Sequence, residues 1–355
     1  MMITAPPAEY ISPELVDAIR KTAMEAEQLQ QLHPAQLDII YVQKWFKLFV
    51  PKKYGGLELD LLQALQLEEA LAWTDGSVGW TVTLCSGAGW FIGFLDPGIV
   101  PAIFDNEKVC LAGSGKATGI ARKINDGYQV TGSWDYATGA NAATAFTANC
   151  LIEENGELVK DRAGNPLICS FLFLPGEVMV RKNWKRIGMI ATASNSFEIS
   201  NLAVNKNRSF IIDQSKAVLK EPLYQYPFLQ FAETTLAVNS SGMAIRFLEL
   251  SKELIREKTL IKIMQDDAVQ QLEAVRNEFY HKVTESWNVF NTHQQVGETM
   301  LKGISSISKQ LAFTSRRVVD ELYPYCGMVA ANPETEINRV WRNLHTASQH
   351  SLFTR

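Results

Sequence analysis

The chain has 355 residues, of which 46% are hydrophobic and 20% are charged. This composition is typical of a soluble globular protein of two or three domains, at roughly 100–200 residues each, and excludes a disordered or fibrous chain. Lys and Arg total 34 against 38 for Asp and Glu, so the net charge of -4 provides no broad basic surface. We therefore expect no nucleic-acid partner.

The five cysteines stand singly, with no Cys-x-x-Cys pair, and the N-terminus has no basic region followed by an apolar run. Both features favour a reducing cytoplasm. Residues 77–95 form an uncharged stretch of 19 residues, close to the length of a membrane span. Because Asp75 and Asp96 flank it instead of Lys or Arg, we expect a buried helix and no membrane association.

Hydrophobic periodicity begins with a helical pattern up to about residue 106, as in residues 61–71. Ser12 and Asp60 are positioned as N-caps of helices in this part. Residues 107–215 are rich in β-branched and aromatic residues separated by turn signals, which indicates a small antiparallel β domain. The strand candidates are residues 129–131, 144–152, 167–174 and 197–204.

The helical period returns after residue 216 and predicts a four-helix bundle. Asn332 and Pro333 mark the clearest helix start, as cap and first helical residue. The four helical blocks are residues 228–260, 266–291, 297–322 and 333–353. The predicted fold class is α+β, with a helical N-terminal domain (1–106), a central antiparallel β-barrel-like domain (107–215) and a C-terminal four-helix bundle (216–355).

The glycine-rich residues 113–119 match neither a P-loop nor a dinucleotide fingerprint, so they predict an ordinary strand-to-loop connection. Backbone amides near Ser114 could still contact a ligand. After a predicted hairpin, Trp134, Tyr136 and Thr138 would share one face of the sheet. They form either a cross-strand aromatic cluster or a flat platform for an aromatic ligand.

No pair of histidines has metal-ligand spacing, and no hydrolase motif is present, so we expect no metal site. The last helical block, residues 338–350, is dense in titratable and hydrogen-bonding groups. A histidine there could transfer protons near neutral pH.

Several motifs together resemble the acyl-CoA dehydrogenase superfamily, and the resemblance covers nearly the whole chain. They are Tyr-Gly-Gly at residues 54–56, Glu-Glu-Ala-Leu-Ala at 68–72, Asp-Gly-Ser at 75–77 and Asp-Gly-Tyr-Gln-Val-Thr-Gly at 126–132. The family's fold is a helical domain, a β domain and a four-helix bundle, and its cofactor is a flavin, FAD or FMN. Family resemblance also implies a homotetramer.

The resemblance also assigns cofactor-binding residues. Tyr136 and Thr138 occupy the positions of the family's Trp-Ile-Thr, which implies that Thr138 lies near flavin N5. Ser114 matches the loop beside the pyrimidine side of the flavin. Trp184 and Gly188 lie in the segment that closes the β domain over the site.

The ending at residues 341–350 resembles the family's flavin-dependent monooxygenases, with Asn343 in place of their Asp. That branch takes reduced flavin from a separate reductase and oxidises a small organic substrate. The resemblance places His350 beside the flavin, where it would donate or accept a proton.

Two alternatives stay open. An acyl-CoA dehydrogenase would use Glu233 to remove a proton beside an acyl thioester. A degenerate, flavin-free binding protein is the other alternative, because the Arg-x-x-Phe-Gly that holds the flavin diphosphate in the family is not recognisable in residues 255–261.

Overall fold

The computed structural model of the chain describes residues 4–161, 163–255 and 259–354. Its N-terminal part is helical, as predicted, with α1 (Pro13–Lys21), α2 (Ala23–Leu29), α3 (Pro34–Val42), α4 (Leu61–Thr74), α5 (Gly76–Gly89) and α6 (Val100–Phe104). The predicted caps are confirmed. Ser12 is the N-cap of α1, and Asp60 accepts a hydrogen bond from the backbone N–H of Gln63 at 2.9 Å.

Helix α5 is the buried helix predicted from the uncharged stretch. It begins at Asp75, whose carboxylate accepts the backbone N–H of Val78 at 2.9 Å. A Cβ on Gly79 would lie 2.5 Å from backbone atoms of Ala72, so glycine at this position lets α5 pack directly on α4. Among the residues that the model describes, no helix is long and apolar enough to cross a membrane.

The central part forms one sheet in the order β6-β7-β2-β1-β3-β5-β8, with β4 paired to β3. The strands are β1 (Leu111–Ile124), β2 (Gly127–Ala137), β3 (Ala145–Glu154), β4 (Glu157–Leu158), β5 (Ile168–Phe173), β6 (Met179–Arg181), β7 (Asn195–Asn205) and β8 (Ser209–Phe210). Most pairs are antiparallel, as expected, but β1 and β3 run parallel.

The predicted connection at residues 113–119 is wrong, because β1 continues through these glycines. The register of β1 against β3 shifts between Ser114 and Gly119, which accommodates the small residues within the strand. A Cβ on Gly119 would lie 2.2 Å from the ring of Trp134, so this glycine makes room for a buried tryptophan.

The C-terminal part is helical, with α7 (Pro222–Gln225), α8 (Phe228–Ile255), α9 (Thr259–His293), α10 (Glu298–Leu322), α11 (Gly327–Ala331), α12 (Glu336–Ala347) and α13 (Ser351–Thr354). The predicted start of the last helix is wrong by three residues. Thr335, not Asn332, caps α12, because the Asn332 side chain instead accepts the backbone N–H of Glu334 at 3.0 Å in a preceding turn.

The buried apolar side chains form two cores. One is shared by the N-terminal and C-terminal helices, and the other lies within the sheet around Trp134, Phe171 and Phe197. This arrangement agrees with the predicted α+β class. The domain boundaries at 106/107 and 215/216 stay predictions.

Candidate active site

The end of β2 departs from the expected strand pattern. Trp134 is 1% exposed and stacks on Phe197, whereas Tyr136 is 49% exposed. The prediction that they share a face with Thr138 is therefore wrong. The φ angle of Tyr136 is +66°, and the register with β7 shifts between Trp134 and Ala137. This left-handed residue turns the chain, so the Tyr136 ring leaves the aromatic cluster of the sheet.

After this turn, three buried hydroxyl groups form a hydrogen-bonded series. The Thr138 and Ser194 hydroxyl oxygens are 2.8 Å apart, and those of Ser194 and Thr192 are 2.7 Å apart. Thr192 donates in turn to the backbone carbonyl of Met189 at 2.8 Å. Thr138 is 4% exposed and Thr192 fully buried. The sequence analysis missed Thr192 and Ser194, because they lie 54 and 56 residues from Thr138.

The segment from Trp184 to Met189 is fixed at both ends. The Trp184 indole N–H donates to the Met189 carbonyl at 2.7 Å, and the Met189 N–H donates to Oδ1 of Asn343 at 2.6 Å. A Cβ on Gly188 would lie 2.0 Å from the carbonyl oxygen of Arg342, so only glycine allows this approach to α12. Helix α12 therefore holds the segment that the resemblance assigns to the cofactor site.

A small cavity of about 80 Å³ lies beside Tyr136 and Trp184. The two rings are perpendicular, with centroids 6.2 Å apart. Lys116 Nζ and the Arg186 guanidinium carbon lie 5.7 and 5.9 Å from the centroid of the Tyr136 ring. Asp135 also lines the cavity, so two aromatic rings, two nearby cations and one carboxylate surround it and suit a flat, polar ligand. Ser194 also lines this cavity.

A larger cavity of about 180 Å³ is lined in part by Thr192 and Gly139. Every residue lining it is uncharged, namely Gln31, Leu32, Leu37, Tyr41, Thr81, Gly139, Asn141, Ala142, Ala191, Thr192 and Ala193. An engineered protein cavity of about 150 Å³ holds benzene, so this one has room for a molecule of about one ring.

A chain of amide side chains crosses from the small cavity to the larger one. The backbone N–H groups of Asn183 and Trp184 donate to Oδ1 of Asn195, at 3.0 and 3.1 Å. Asn195 Nδ2 then donates to Oδ1 of Asn141 at 3.1 Å, and Asn141 Nδ2 donates to Oε1 of Gln31 at 2.9 Å. Because backbone N–H groups can only donate, the direction of the chain is fixed, and Nε2 of Gln31 is its last donor.

His350 lies between α12 and α13, half-buried against α5. Its ring is 5.9 Å from the Trp80 ring, and its Nδ1 accepts the backbone N–H of Leu352 at 3.3 Å. The neutral imidazole therefore carries its proton on Nε2. Trp80 precedes Thr81, which lines the larger cavity. His345 is five residues away and instead bonds Asp320 at 2.6 Å.

Two buried carboxyl groups lie in the helical core. Glu233 on α8 is 3% exposed, and its Oε2 has no hydrogen-bond partner in the described residues. Glu68 on α4 is fully buried, and burial raises its pKa well above the ordinary value. The hydroxyls of Thr83 and Ser86 approach Glu68 and oppose this pKa shift, without making well-aligned hydrogen bonds to it.

The structure brings some predicted residues together and not others. Trp184 contacts Tyr136 directly, and Met189, which follows Gly188, links the Trp184 indole to the Thr138 hydroxyl chain. Ser114 lies half-buried on β1, two residues from Lys116 beside the same rings. His350 lies beside Trp80, and Glu233 is buried on α8 in the helical core. Among the described residues, no cluster of His, Cys, Asp or Glu could hold a metal ion.

The residues around the small cavity suit part of a flavin by their chemistry, and because about 80 Å³ holds less than one ring, the rest of the flavin would lie outside the cavity. The perpendicular Tyr136 and Trp184 rings would pack on an aromatic ring system, Lys116 and Arg186 would neutralise an anionic group, and the buried Thr138 hydroxyl would meet a ring nitrogen. The arginine motif that holds the flavin diphosphate in the family is not recognisable in residues 255–261. This segment does not test the fit of a flavin, because residues 256–258 lie outside the described residues.

Comparison with known proteins agrees with this fold. Residues 226–355 match the family model of the acyl-CoA dehydrogenase C-terminal domain. The indole-3-acetate monooxygenase of Pseudomonas putida is 22% identical, covering 96% of this chain and 89% of its own. HsaA of Mycobacterium tuberculosis, named a flavin-dependent monooxygenase oxygenase subunit, is 21% identical, covering 95% of this chain and 89% of its own.

Solved structures give the same fold. The HsaA crystal structure has a TM-score of 0.88 at 20% identity and covers 96% of this chain and 93% of its own. XiaF from Streptomyces sp., solved with FADH2 and glycerol, has a TM-score of 0.85 at 20% identity and covers 96% of this chain and 91% of its own.

These comparisons agree with the resemblance found in the sequence: residues 226–355 match the acyl-CoA dehydrogenase C-terminal domain, and nearly the whole chain is similar to proteins named as flavin-dependent monooxygenases. The names of these relatives agree with the predicted functional class, a flavin-dependent oxidoreductase of monooxygenase type.

Proposed function

We propose that this protein is the oxygenase component of a two-component monooxygenase, receiving reduced FAD or FMN from a separate flavin reductase. The observation that carries the proposal is the lining at the end of β2, where Tyr136 and Trp184 face each other beside Lys116, Arg186 and the buried Thr138 hydroxyl chain. When bound there, reduced flavin supplies the electrons that activate molecular oxygen.

The chain's own residues would hold this cofactor and move protons. Tyr136, Trp184 and Thr138 would bind the ring, Ser114 its pyrimidine side, and Gly188 would keep the covering segment on α12. His350 is the proposed catalytic residue. The resemblance places its imidazole beside the flavin, where it would donate or accept a proton.

The larger cavity is the proposed substrate site. Thr192 lines it, and Ser194, whose hydroxyl oxygen is 2.7 Å from that of Thr192, lines the small cavity, so the two cavities are neighbours. Its uncharged lining and the terminal amide donor of Gln31 suit an uncharged molecule of about one ring that carries an acceptor oxygen. The aromatic residues Trp80, Trp90 and Phe94 are buried in the helical core instead.

A second candidate is an acyl-CoA dehydrogenase with Glu233 as the base. The specific observation in its favour is the buried Glu233 carboxylate, one of whose oxygens is without a partner in the described part of the chain. We also propose a homotetramer, which the resemblance supports, and a cytoplasmic location, which the singly placed cysteines favour.

Oxygen and acyl-CoA assays separate the two candidates. The monooxygenase consumes oxygen in the presence of reduced flavin and oxidises a small molecule. The dehydrogenase instead bleaches bound FAD when an acyl-CoA is added, and Glu233→Gln abolishes that bleaching. Absence of any flavin binding would favour the flavin-free binding protein.

A further inference from the structure

The chain of amide side chains that ends at the larger cavity begins at Asn195, a buried residue at the start of β7. We propose that Asn195 is a positioning residue that determines ligand specificity. Through Asn141 it makes Gln31 a hydrogen-bond donor toward the larger cavity, and so favours ligands that carry an acceptor atom. The inference rests on the proposed function, because it takes the larger cavity to be the substrate site.

The orientation of the Asn195 amide is fixed by the backbone. Its Oδ1 accepts the N–H groups of Asn183 and Trp184, at 3.0 and 3.1 Å. A backbone N–H cannot accept, so a reversed Asn195 would place its own NH2 group against two donors. Asn195 is 4% exposed, and leaving two N–H groups unpaired at a buried position is costly.

This orientation is transmitted to the cavity through two further amides. Asn195 Nδ2 donates to Oδ1 of Asn141 at 3.1 Å, and Asn141 Nδ2 donates to Oε1 of Gln31 at 2.9 Å. If Asn141 alone turned over, two NH2 groups would meet at one end of it and two oxygens at the other. The three amides therefore turn together or not at all, and Asn195 is the one that the backbone holds.

The hydroxyl groups of the cavity lining make the Gln31 donor important. Thr81 and Thr192 each give their hydroxyl hydrogen to a backbone carbonyl, at 2.7 and 2.8 Å, so their oxygens offer a ligand only lone pairs. The Tyr41 hydroxyl can act as donor or acceptor. Reversing Gln31 would therefore remove an oriented donor from a lining that already has acceptors.

A single substitution of nearly the same shape reverses the chain. In Asn195→Asp one carboxylate oxygen still accepts the two backbone N–H groups, and the other oxygen replaces the NH2 group and requires a donor. Asn141 then turns to donate to it, and Gln31 turns in response and presents Oε1 to the cavity. Because Asn141 is exposed and Gln31 half-buried, both amides can turn without leaving a buried group unpaired.

The test compares pyridine, a one-ring acceptor, with pyrrole, a one-ring donor of similar size, at pH 8, where both are uncharged. Ligand-observed NMR titration of the full-length protein gives the ratio of the dissociation constant of pyrrole to that of pyridine. This ratio should fall about tenfold in Asn195→Asp, the size of one hydrogen bond gained or lost. Asn195→Ala leaves Asn141 free to adopt either orientation and should lower the ratio about threefold, which also provides the test if Asn195→Asp does not fold.

A double-mutant cycle separates transmission through the amides from a direct effect of the new charge. Asn141→Ala removes the amide between Asn195 and Gln31, so adding Asn195→Asp to it should change the ratio by less than about twofold. Asn201→Asp is the matched control, because it places the same charge at an exposed position of β7 that bonds Thr131. It should keep the wild-type ratio.

Three outcomes would overturn the proposal. If Asn195→Asp and Asn195→Ala leave the ratio unchanged, or if Asn195→Asp lowers it equally with and without Asn141, the amides do not set the specificity. The proposed function then survives, because the cavity still binds a ring. If the wild-type protein binds neither pyridine nor pyrrole, the inference and the proposed substrate site both fail, and oxygen uptake with reduced flavin tests the proposed function separately.

Discussion

At the scale of single residues, His350 is the group whose removal tests the chemistry most directly. We expect His350→Ala to lower substrate turnover about 100-fold or more, because general acid or base catalysis contributes about 10²–10⁴-fold, while reduced-flavin binding persists. Product formation with reduced flavin and oxygen is the measurement. His281→Ala, which removes an exposed histidine of α9, is the control. Unchanged turnover in His350→Ala would remove His350 from the mechanism.

Gln31 provides a residue-scale test of the substrate cavity. Benzamide, an uncharged ring with a carbonyl acceptor, should bind, and its anionic counterpart benzoate should bind more weakly because the cavity lining is uncharged. Gln31→Leu should weaken benzamide binding about tenfold, because it removes the last amide donor. Gln28→Leu, a change at an exposed position of α2 three residues before Gln31, is the control, and calorimetry measures both variants. Tighter binding of benzoate than benzamide would contradict the assignment of an uncharged ligand.

At the scale of elements, the contact between α12 and the segment at Gly188 joins the helical and sheet parts. Gly188→Ala places a methyl group against the Arg342 carbonyl, where 2.0 Å is available, so the segment must move off α12. We expect weaker flavin binding and a lower melting temperature. Gly176→Ala is the matched control, because its Cβ would meet nothing within 4 Å. Equal flavin affinities in the two variants would show that the contact does not support the site.

The packing of α4 on α5 predicts a pH dependence. Burial raises the folded-state pKa of Glu68, so its contribution to stability is complete below the unfolded-state pKa and is lost as pH rises through the folded-state pKa. The melting temperature should therefore fall more between pH 5 and pH 8 in the wild type than in Glu68→Gln. Glu285→Gln, an exposed change on α9, should follow the wild type. An identical pH response of Glu68→Gln and wild type would contradict the buried, protonated carboxyl.

At the scale of the whole molecule, local sequence patterns predicted the helical, sheet and helical parts and the caps at Ser12 and Asp60. They missed features that depend on distant contacts. The parallel pairing of β1 with β3 and the left-handed turn at Tyr136 have no local signal. The cap at Asn332 was predicted wrongly because the same side chain can close a turn or begin a helix.

The sequence likewise predicted one part of the candidate site and missed another. The resemblance placed Tyr136, Thr138, Trp184 and Gly188 in one region, and the contacts through Met189 link them. The hydroxyls of Thr192 and Ser194 and the chain of amide side chains were not predicted, because each joins residues from separate parts of the chain. Such networks depend on tertiary packing and not on sequence spacing.

The central claim is that this protein works on reduced flavin, and an anaerobic titration of the wild-type protein with oxidised and reduced FMN and FAD tests it most directly. We expect the reduced form of at least one flavin to bind more tightly than its oxidised form, because the proposed function uses flavin that a separate reductase has already reduced. Tighter binding of oxidised FAD, followed by bleaching when an acyl-CoA is added, would contradict this account and assign the catalytic role to Glu233.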